Sequence, residues 1–304
     1  MSEDITFDRA FDPPAGRVVE VSPLVRRIVA PNPSPFTFTG TCTYIVGRGK
    51  VAILDPGPDD PTHVAAVLDA VRGEEVSHIF LTHTHRDHSP ACPKVKAATG
   101  AVTLAEGPHR PSRPIEIGEA ARLDASGDMD FRPDIALEDG ATVAGPGWTL
   151  TAVATPGHTA NHLAFALKEE DLLFSGDHVM AWATSIVAPP DGSMGDYIAS
   201  LERLAARQEK VYLPGHGGPV RDAPAHVRDF LAHRHAREAA ILRALDRDAT
   251  TIPELVRGIY IGLDPRLVGA ASLTVLAHLE HLVARGRVST DGPAAITGRF
   301  RLAA

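Results

Sequence analysis

Cysteine is scarce in this chain. Cys42 and Cys92 are the only two in 304 residues, and they show no CxxC spacing. A disulfide framework is thereby excluded, and each is expected to be a small buried or half-buried residue rather than a ligand. Aromatic residues are scarce as well, at 5%, and no cluster of them offers a platform for stacking single-stranded bases. No uninterrupted apolar run approaches the ~20 residues that span a bilayer. The opening Met1-Ser2-Glu3-Asp4 is acidic. It has neither the basic-then-apolar order of a signal peptide nor the acid-poor, Arg-rich order of a transit peptide. Cytoplasmic residence, with no membrane partner, is the resulting expectation. Positive charge is also in deficit. The formal net charge of −8 argues against non-specific nucleic-acid binding by the chain as a whole. The deficit is uneven, because residues 224–304 hold 11 Arg against 8 Asp and Glu.

What is present is ordinary for a globular chain, 44% hydrophobic and 22% charged. The length suits one large α/β domain with a small one appended. Residues 18–21, 25–29, 43–46 and 51–54 are rich in β-branched residues and read as strands, the last two joined by Gly47-Arg48-Gly49-Lys50. Helical spacing runs from Pro61 to Arg72, followed by a strand over 77–81, a helix ending near Gly100 and a short strand over 102–104. This alternation predicts layered α/β structure. Residues 107–133 show little periodicity and resist assignment. From 135 to 176 strands succeed one another, and Val211-Tyr212-Leu213 adds a further one. After Pro224 the texture changes to three helices, over 225–245, 253–260 and 267–284, and then a hairpin, the pattern of a winged helix.

The densest chemistry follows the apolar run Ile79-Phe80-Leu81. Thr82-His83-Thr84-His85-Arg86-Asp87-His88 places three imidazoles and a carboxylate within six residues, at the mouth of a strand. Imidazole with carboxylate suits Zn²⁺, with Fe²⁺ or Mn²⁺ as substitutes. His158, Asp177 and His216 each end a strand-like segment at a Gly-containing turn, and Asp55 stands at another strand end. A metal centre needs side chains from distant strands to converge at one sheet edge, with glycine giving room for the bends.

At these residues the chain resembles the metallo-β-lactamase-fold hydrolase superfamily, over roughly 20–223. His83-x-His85-x-Asp87-His88, His158, Asp177 and His216 stand in that family's order, and Asp55 matches its first strand-end Asp. The resemblance implies an α/β fold: an αββα sandwich over 1–223 with metals at one edge between its sheets, then a small, mostly helical winged-helix domain over 224–304. It further implies that His83, His85 and His158 hold one ion, that Asp87, His88 and His216 hold the other, and that Asp177 bridges them. Asp55 would orient a histidine ligand from behind. Two departures narrow the chemistry. The best-known dizinc β-lactamases lack the Asp-His pair and carry cysteine where Asp177 stands, which disfavours antibiotic hydrolysis. Hydroxyacylglutathione hydrolases share the ligand set but usually read Cys-Gly-His-Glu, where this chain has Pro214-Gly215-His216-Gly217. The tail, with Ala232-His233-Arg234-x-x-Arg237-Glu238, is similar to the branch that includes the mitochondrial β-lactamase-like endoribonuclease and many uncharacterised bacterial hydrolases.

Two Zn²⁺ are therefore the expected cofactors. Seven ligands with two carboxylates around two divalent ions leave a site that is net positive, able to ionise water near neutral pH and to polarise a carbonyl or phosphoryl oxygen. Asp87 and Asp177 are the carboxylates on which catalysis is expected to depend, with Asp177 spanning ions ~3.5–4 Å apart. The expected function is a dinuclear metal-dependent hydrolase that turns a metal-bound hydroxide on an ester, thioester or phosphodiester. The partner is then a small (thio)ester or RNA, with endoribonuclease as one named case. Two other classes compete: a mononuclear iron-dependent oxidoreductase of the sulfur dioxygenase type, and a nucleic-acid-binding regulator with a vestigial metal site. His162 is expected either to face the site as a leaving-group donor or to support it from behind. Trp182, Thr184 and Ser185, in the loop after Asp177, are candidate pocket residues. His178 is expected to be structural, and His63, His78, His109, His226, His233, His235, His278 and His281 to lie on helix faces or the surface.

Overall fold

The structure, a computed structural model, describes residues 5–116, 119, 126–245 and 250–303. Its first sheet begins with β1 (Val19–Ser22), β2 (Val25–Val29), β3 (Cys42–Val46) and β4 (Lys50–Leu54), antiparallel neighbours in sequence order. Helix α1 (Pro61–Ala70) starts at Asp60, whose side chain accepts a hydrogen bond from the His63 N–H, with Pro61 pre-set for the first turn. The chain then returns in parallel through β5 (Glu75–Phe80), α2 (Cys92–Thr99), β6 (Val102–Ala105) and β7 (Ile135–Ala136), giving a seven-stranded sheet. The second sheet is the meander β8 (Thr142–Gly145), β9 (Trp148–Ala154), β10 (Leu163–Leu167) and β11 (Leu172–Gly176). Helix α3 (Met194–Ala205) then carries the chain to β12 (Val211–Pro214), which pairs in parallel with β11.

The two sheets face each other across one apolar layer. Tyr44, Phe80, Trp148, Phe165 and Phe174 interlock there with Leu54, Leu104, Leu163 and Leu213. Fully burying one such Phe or Leu side chain is worth about 1.5–3 kcal/mol, and the Trp148 indole also donates to the Lys50 carbonyl. The outer face of the first sheet is covered by Val64, Val67 and Val95 of α1 and α2. The outer face of the second is covered by Tyr197, Ile198 and Leu201 of α3 and by Val227 and Phe230 of α4 (Ala223–Ala244). Helix, sheet, sheet, helix is the expected αββα order. Spacing alone did not predict α3, although its apolar residues recur at helical intervals.

Beyond the sandwich, α5 (Ile252–Ile259) and α6 (Val268–Ala284) pack with the far end of α4 around Ile241, Leu255, Leu276, Leu279 and Phe300. A small sheet of β13 (Thr250–Thr251), β14 (Val288–Thr290) and β15 (Arg299–Leu302) completes the winged helix. Helix α4 serves both cores, because its first half seals the second sheet and its last turns enter the tail cluster. The segment Pro265–Ala284 is long and apolar enough to cross a membrane. This departs from the expectation based on unbroken apolar runs, which Arg266 and Glu280 interrupt. In the fold its apolar side, with Val275, Leu276, Leu279 and Leu282, is the core of the winged helix. Residues 107–116 and 128–133 run as turns and irregular backbone, while 117, 118 and 120–125 lie outside the described residues.

Candidate metal centre

The seven residues singled out at strand ends come together where the two sheets meet. The first sheet delivers His83, His85, Asp87 and His88 from the loop after β5. The second delivers His158 from the turn after β9, Asp177 after β11 and His216 after β12. Three overlapping sets have ligand-type atoms within 4.8 Å of one another: His83, His85 and His158; His83, His88 and Asp177; and Asp87, His88 and His216. Between the sheets, the Cys42 N–H donates to the Gly215 carbonyl at 2.7 Å and the Leu163 N–H to the Thr82 carbonyl at 2.7 Å. The rim is thereby stitched closed on both sides. Gly215 is required by contact, since a Cβ there would lie 2.4 Å from Asp177 Oδ1 and 2.7 Å from His88 Cε1.

Each of the five histidines is anchored through the nitrogen that points away from the centre. His83 Nδ1 is 3.0 Å from the Thr82 hydroxyl, and His88 Nδ1 is 3.0 Å from Asp55. Asp55 also accepts from the Thr82 N–H and hydroxyl at 2.8 and 2.7 Å, so this one carboxylate holds His88 directly and His83 by way of Thr82. It does so from a left-handed backbone, φ 48°. His158 Nδ1 sits 2.7 Å from the Ile186 carbonyl and His216 Nδ1 3.3 Å from the Gly40 carbonyl. His85 is turned the other way, with Nε2 2.7 Å from Asp191 and Nδ1 facing His83 and His158 at 3.1 and 3.0 Å. Fixing the far nitrogen selects the tautomer whose lone pair faces inward, the usual arrangement behind metal-binding imidazoles. At the centre, His88 Nε2 and Asp177 Oδ1 are buried without a hydrogen-bond partner. Buried groups of this kind are costly unless something satisfies them. The donor set, the anchored tautomers and these two orphan atoms fit a divalent-metal pair.

Charge is distributed in keeping with this. Burial opposes ionisation at every one of these groups. Even so, Asp87 and Asp177 are held well below the usual carboxylate range by His88 and His216. His216 in turn is pushed up to about 10 by Asp177 and Asp87. His158 is lowered to about 4 by burial and by His85, which leaves its imidazole neutral. Against the same burial, His88 is raised by Asp87, Asp177 and Asp55, and His85 by Asp191, so the two carboxylates are balanced by imidazole protons that a metal ion would displace.

The other expected residues divide. His162 is 1% exposed, with Nδ1 on the Thr155 hydroxyl at 2.8 Å and Nε2 accepting from the Asp177 N–H at 3.1 Å. Neither nitrogen is available to a leaving group, so its work is to hold Asp177 from behind. Ser185 is also turned away, donating to the His178 carbonyl. Thr184 is half-buried. Trp182 stacks on Phe38 at 4.9 Å beside Gly217, at the rim of the His216 side. Of the histidines expected on helix faces or the surface, His63 of α1 and His278 of α6 lie on buried helix faces, and His109 is buried outside any helix. Spacing missed Asp191, which lies 106 positions from His85 and meets it only through the fold. It also missed His109, between Thr84 at 2.8 Å and Asp191 at 3.2 Å, and Thr41, whose hydroxyl donates to Asp87 at 2.9 Å.

Comparison with known proteins bears on the family and the fold. Residues 36–216 match the Metallo-beta-lactamase superfamily model, and 251–295 match the Beta-lactamase associated winged helix domain. The lactamase-like protein adaB of Aspergillus niger is 30% identical, the match covering 95% of this chain and 90% of that protein. The atrochrysone carboxyl ACP thioesterase AgnL7 of Paecilomyces divaricatus is 34% identical, over 77% of this chain and 68% of that protein. Among solved structures, the metallo-beta-lactamase family protein TTHA1429 of Thermus thermophilus superposes with a TM-score of 0.74 at 26% identity. That match covers 93% of this chain and all of the other.

Proposed function

This chain belongs to the metallo-beta-lactamase superfamily, and we propose that it is a dinuclear metal-dependent hydrolase acting on acyl thioesters. The observation that carries the reading is the set of five imidazoles, each anchored at its far nitrogen, converging with Asp87 and Asp177 on one buried point. Two divalent ions held there supply Lewis acidity and lower the pKa of water to near neutrality. The chain's own residues do the rest. Asp177 faces both halves of the site, 3.6 Å from His158 and 3.2 Å from His216, which suits a bridging carboxylate. Thr41 and His216 fix Asp87, and Asp55 fixes His88. Among these groups no serine or cysteine nucleophile is needed.

Thioester cleavage is favoured over RNA cleavage by two features. A relative 34% identical bears a thioesterase name. The long helix of the winged helix, α6, contains neither Lys nor Arg and turns its apolar face to the tail core, whereas a nucleic-acid reader presents cationic side chains. The mononuclear iron alternative is disfavoured by the second ligand set, Asp87, His88 and His216. The test is one panel of an acyl-carrier or acyl-pantetheine thioester, a lactone and RNA, run beside Asp177→Ala, with elemental analysis of the purified protein. The expected result is close to two transition-metal ions per chain and thioester turnover that is lost in Asp177→Ala. Full turnover after metal removal would overturn the mechanism, and RNA cleavage without thioester cleavage would overturn the substrate class.

A further inference from the structure

Arg234 is 2% exposed, although it lies on α4, outside the strand ends that form the site. Removing a guanidinium from water costs several kcal/mol unless its surroundings compensate. Among the described residues its partners are the Tyr197 ring of α3, 4.8 Å from the guanidinium carbon, and the carbonyl of Ser185, 2.5 Å from Nη2. Glu238, one turn further on, is engaged with His281 and Arg285 at 3.6 and 3.9 Å. A Met or Leu would fill the same space more cheaply. What an apolar side chain would not do is hold the Ser185 carbonyl.

That carbonyl has a particular neighbour. The next carbonyl along the chain, at Ile186, is the acceptor that anchors His158 Nδ1 at 2.7 Å. The same segment is pinned at its other end, where the Ser185 hydroxyl and the Tyr197 phenol both donate to the His178 carbonyl at 2.8 and 2.7 Å. Arg234 therefore fixes the peptide immediately before the one that sets the tautomer and direction of His158. We infer that Arg234 is a positioning residue for the metal centre, through which the helix leading into the winged helix holds His158 in its ligand orientation by way of the Ser185–Ile186 backbone.

The inference rests on reading His158 as a metal ligand, and the experiment separates the two. Zn²⁺ affinity is measured on the full chain by competition with a chromogenic chelator, together with the Co²⁺ absorption spectrum, for wild type, Arg234→Met, Arg234→Lys, His158→Ala and Arg234→Met/His158→Ala. Loss of an outer hydrogen bond behind a ligand lowers metal affinity by about 10–100-fold, and a loss of that size is expected for Arg234→Met. Arg234→Lys, which keeps a donor on a shorter stem, is expected to fall between. In the His158→Ala background Arg234→Met is expected to add nothing further, the non-additivity that marks residues acting through one another. Wild-type affinity in a folded Arg234→Met, or losses that simply add in the double variant, would overturn the role of Arg234. Should Arg234→Met not fold, Arg234→Lys decides, and unchanged affinity there overturns the inference. Undiminished metal binding in His158→Ala would instead remove His158 from the ligand set, and the inference with it.

Discussion

Histidine protonation opposes itself within this molecule. Burial lowers His63 and His233 to about 4 and His178 to about 3, so each is neutral when folded. The stability they contribute is fully present above their unfolded value of about 6.5 and is lost as pH falls toward 4. His216 has the opposite sign. Burial resists its charge, but Asp177 and Asp87 prevail and raise it to about 10. Its contribution is complete below about 6.5 and fades as pH rises toward 10. The expected outcome is that metal-free protein has its highest melting temperature near pH 6.5 and declines on both sides. Thermal scans from about pH 4 to 10 check this, and a flat profile from about pH 6.5 to 9 would contradict the His216–Asp177 pairing. At this scale the sequence was legible for the residues that converge at the rim, because the dense His-x-His-x-Asp-His run and a strand-end His or Asp beside glycine each carry a local signal. It was not legible for Asp191, His109 or Thr41, which reach the site across separations that no local pattern encodes. Nor did it give side-chain direction. His162 and Ser185 lie near the centre in sequence and turn away from it because Thr155 and His178 supply their partners.

Among the elements, most strands and helices follow from composition. β-Branched runs gave the first sheet, Pro61 and Gly100 bracket α1 and α2, and the tail helices start and stop near the expected residues. Helix α3 escaped because Pro189, Pro190, Gly192 and Gly195 crowd its start and read as loop, while the Ser193 side chain caps it all the same. That helix leans on the turn bearing His158. Gly157 has φ 135°, and a Cβ there would lie 2.3 Å from Tyr197 Cα. Gly157→Ala combines a backbone conformation closed to L-residues with a clash against helix backbone, for an expected loss of about 2–4 kcal/mol. Urea unfolding measures it, and zinc occupancy should drop in parallel as the turn shifts. A Gly157→Ala protein as stable as wild type would mean that the turn and α3 do not pack this closely.

In the whole molecule, the sequence boundary near 223 is not a boundary of packing. Ala223, Val227 and Phe230 of α4 and Ala277 of α6 belong to the cluster that seals the second sheet, and Arg113 pairs with Glu119 and with Glu280 of α6. A chain ending at residue 222 would uncover the part of that cluster that Ala223, Val227, Phe230 and Ala277 seal. The expected outcome is an insoluble or dye-binding, loosely packed product, checked by expression of 1–222 with ANS fluorescence. Soluble, cooperatively unfolding 1–222 with full metal content would show instead that the sandwich stands alone.

The residues that could hold metal come from two sheets, four from the first and three from the second. A bound ion would then be a cross-link between the halves of the sandwich, beside the rim hydrogen bonds at Gly215 and Thr82. Metal dissociation would then report on the breathing of the two sheets. Any change that lets the layers part more often, however far from the ligands, should shorten the residence time of the ion before it alters the resting geometry of the site.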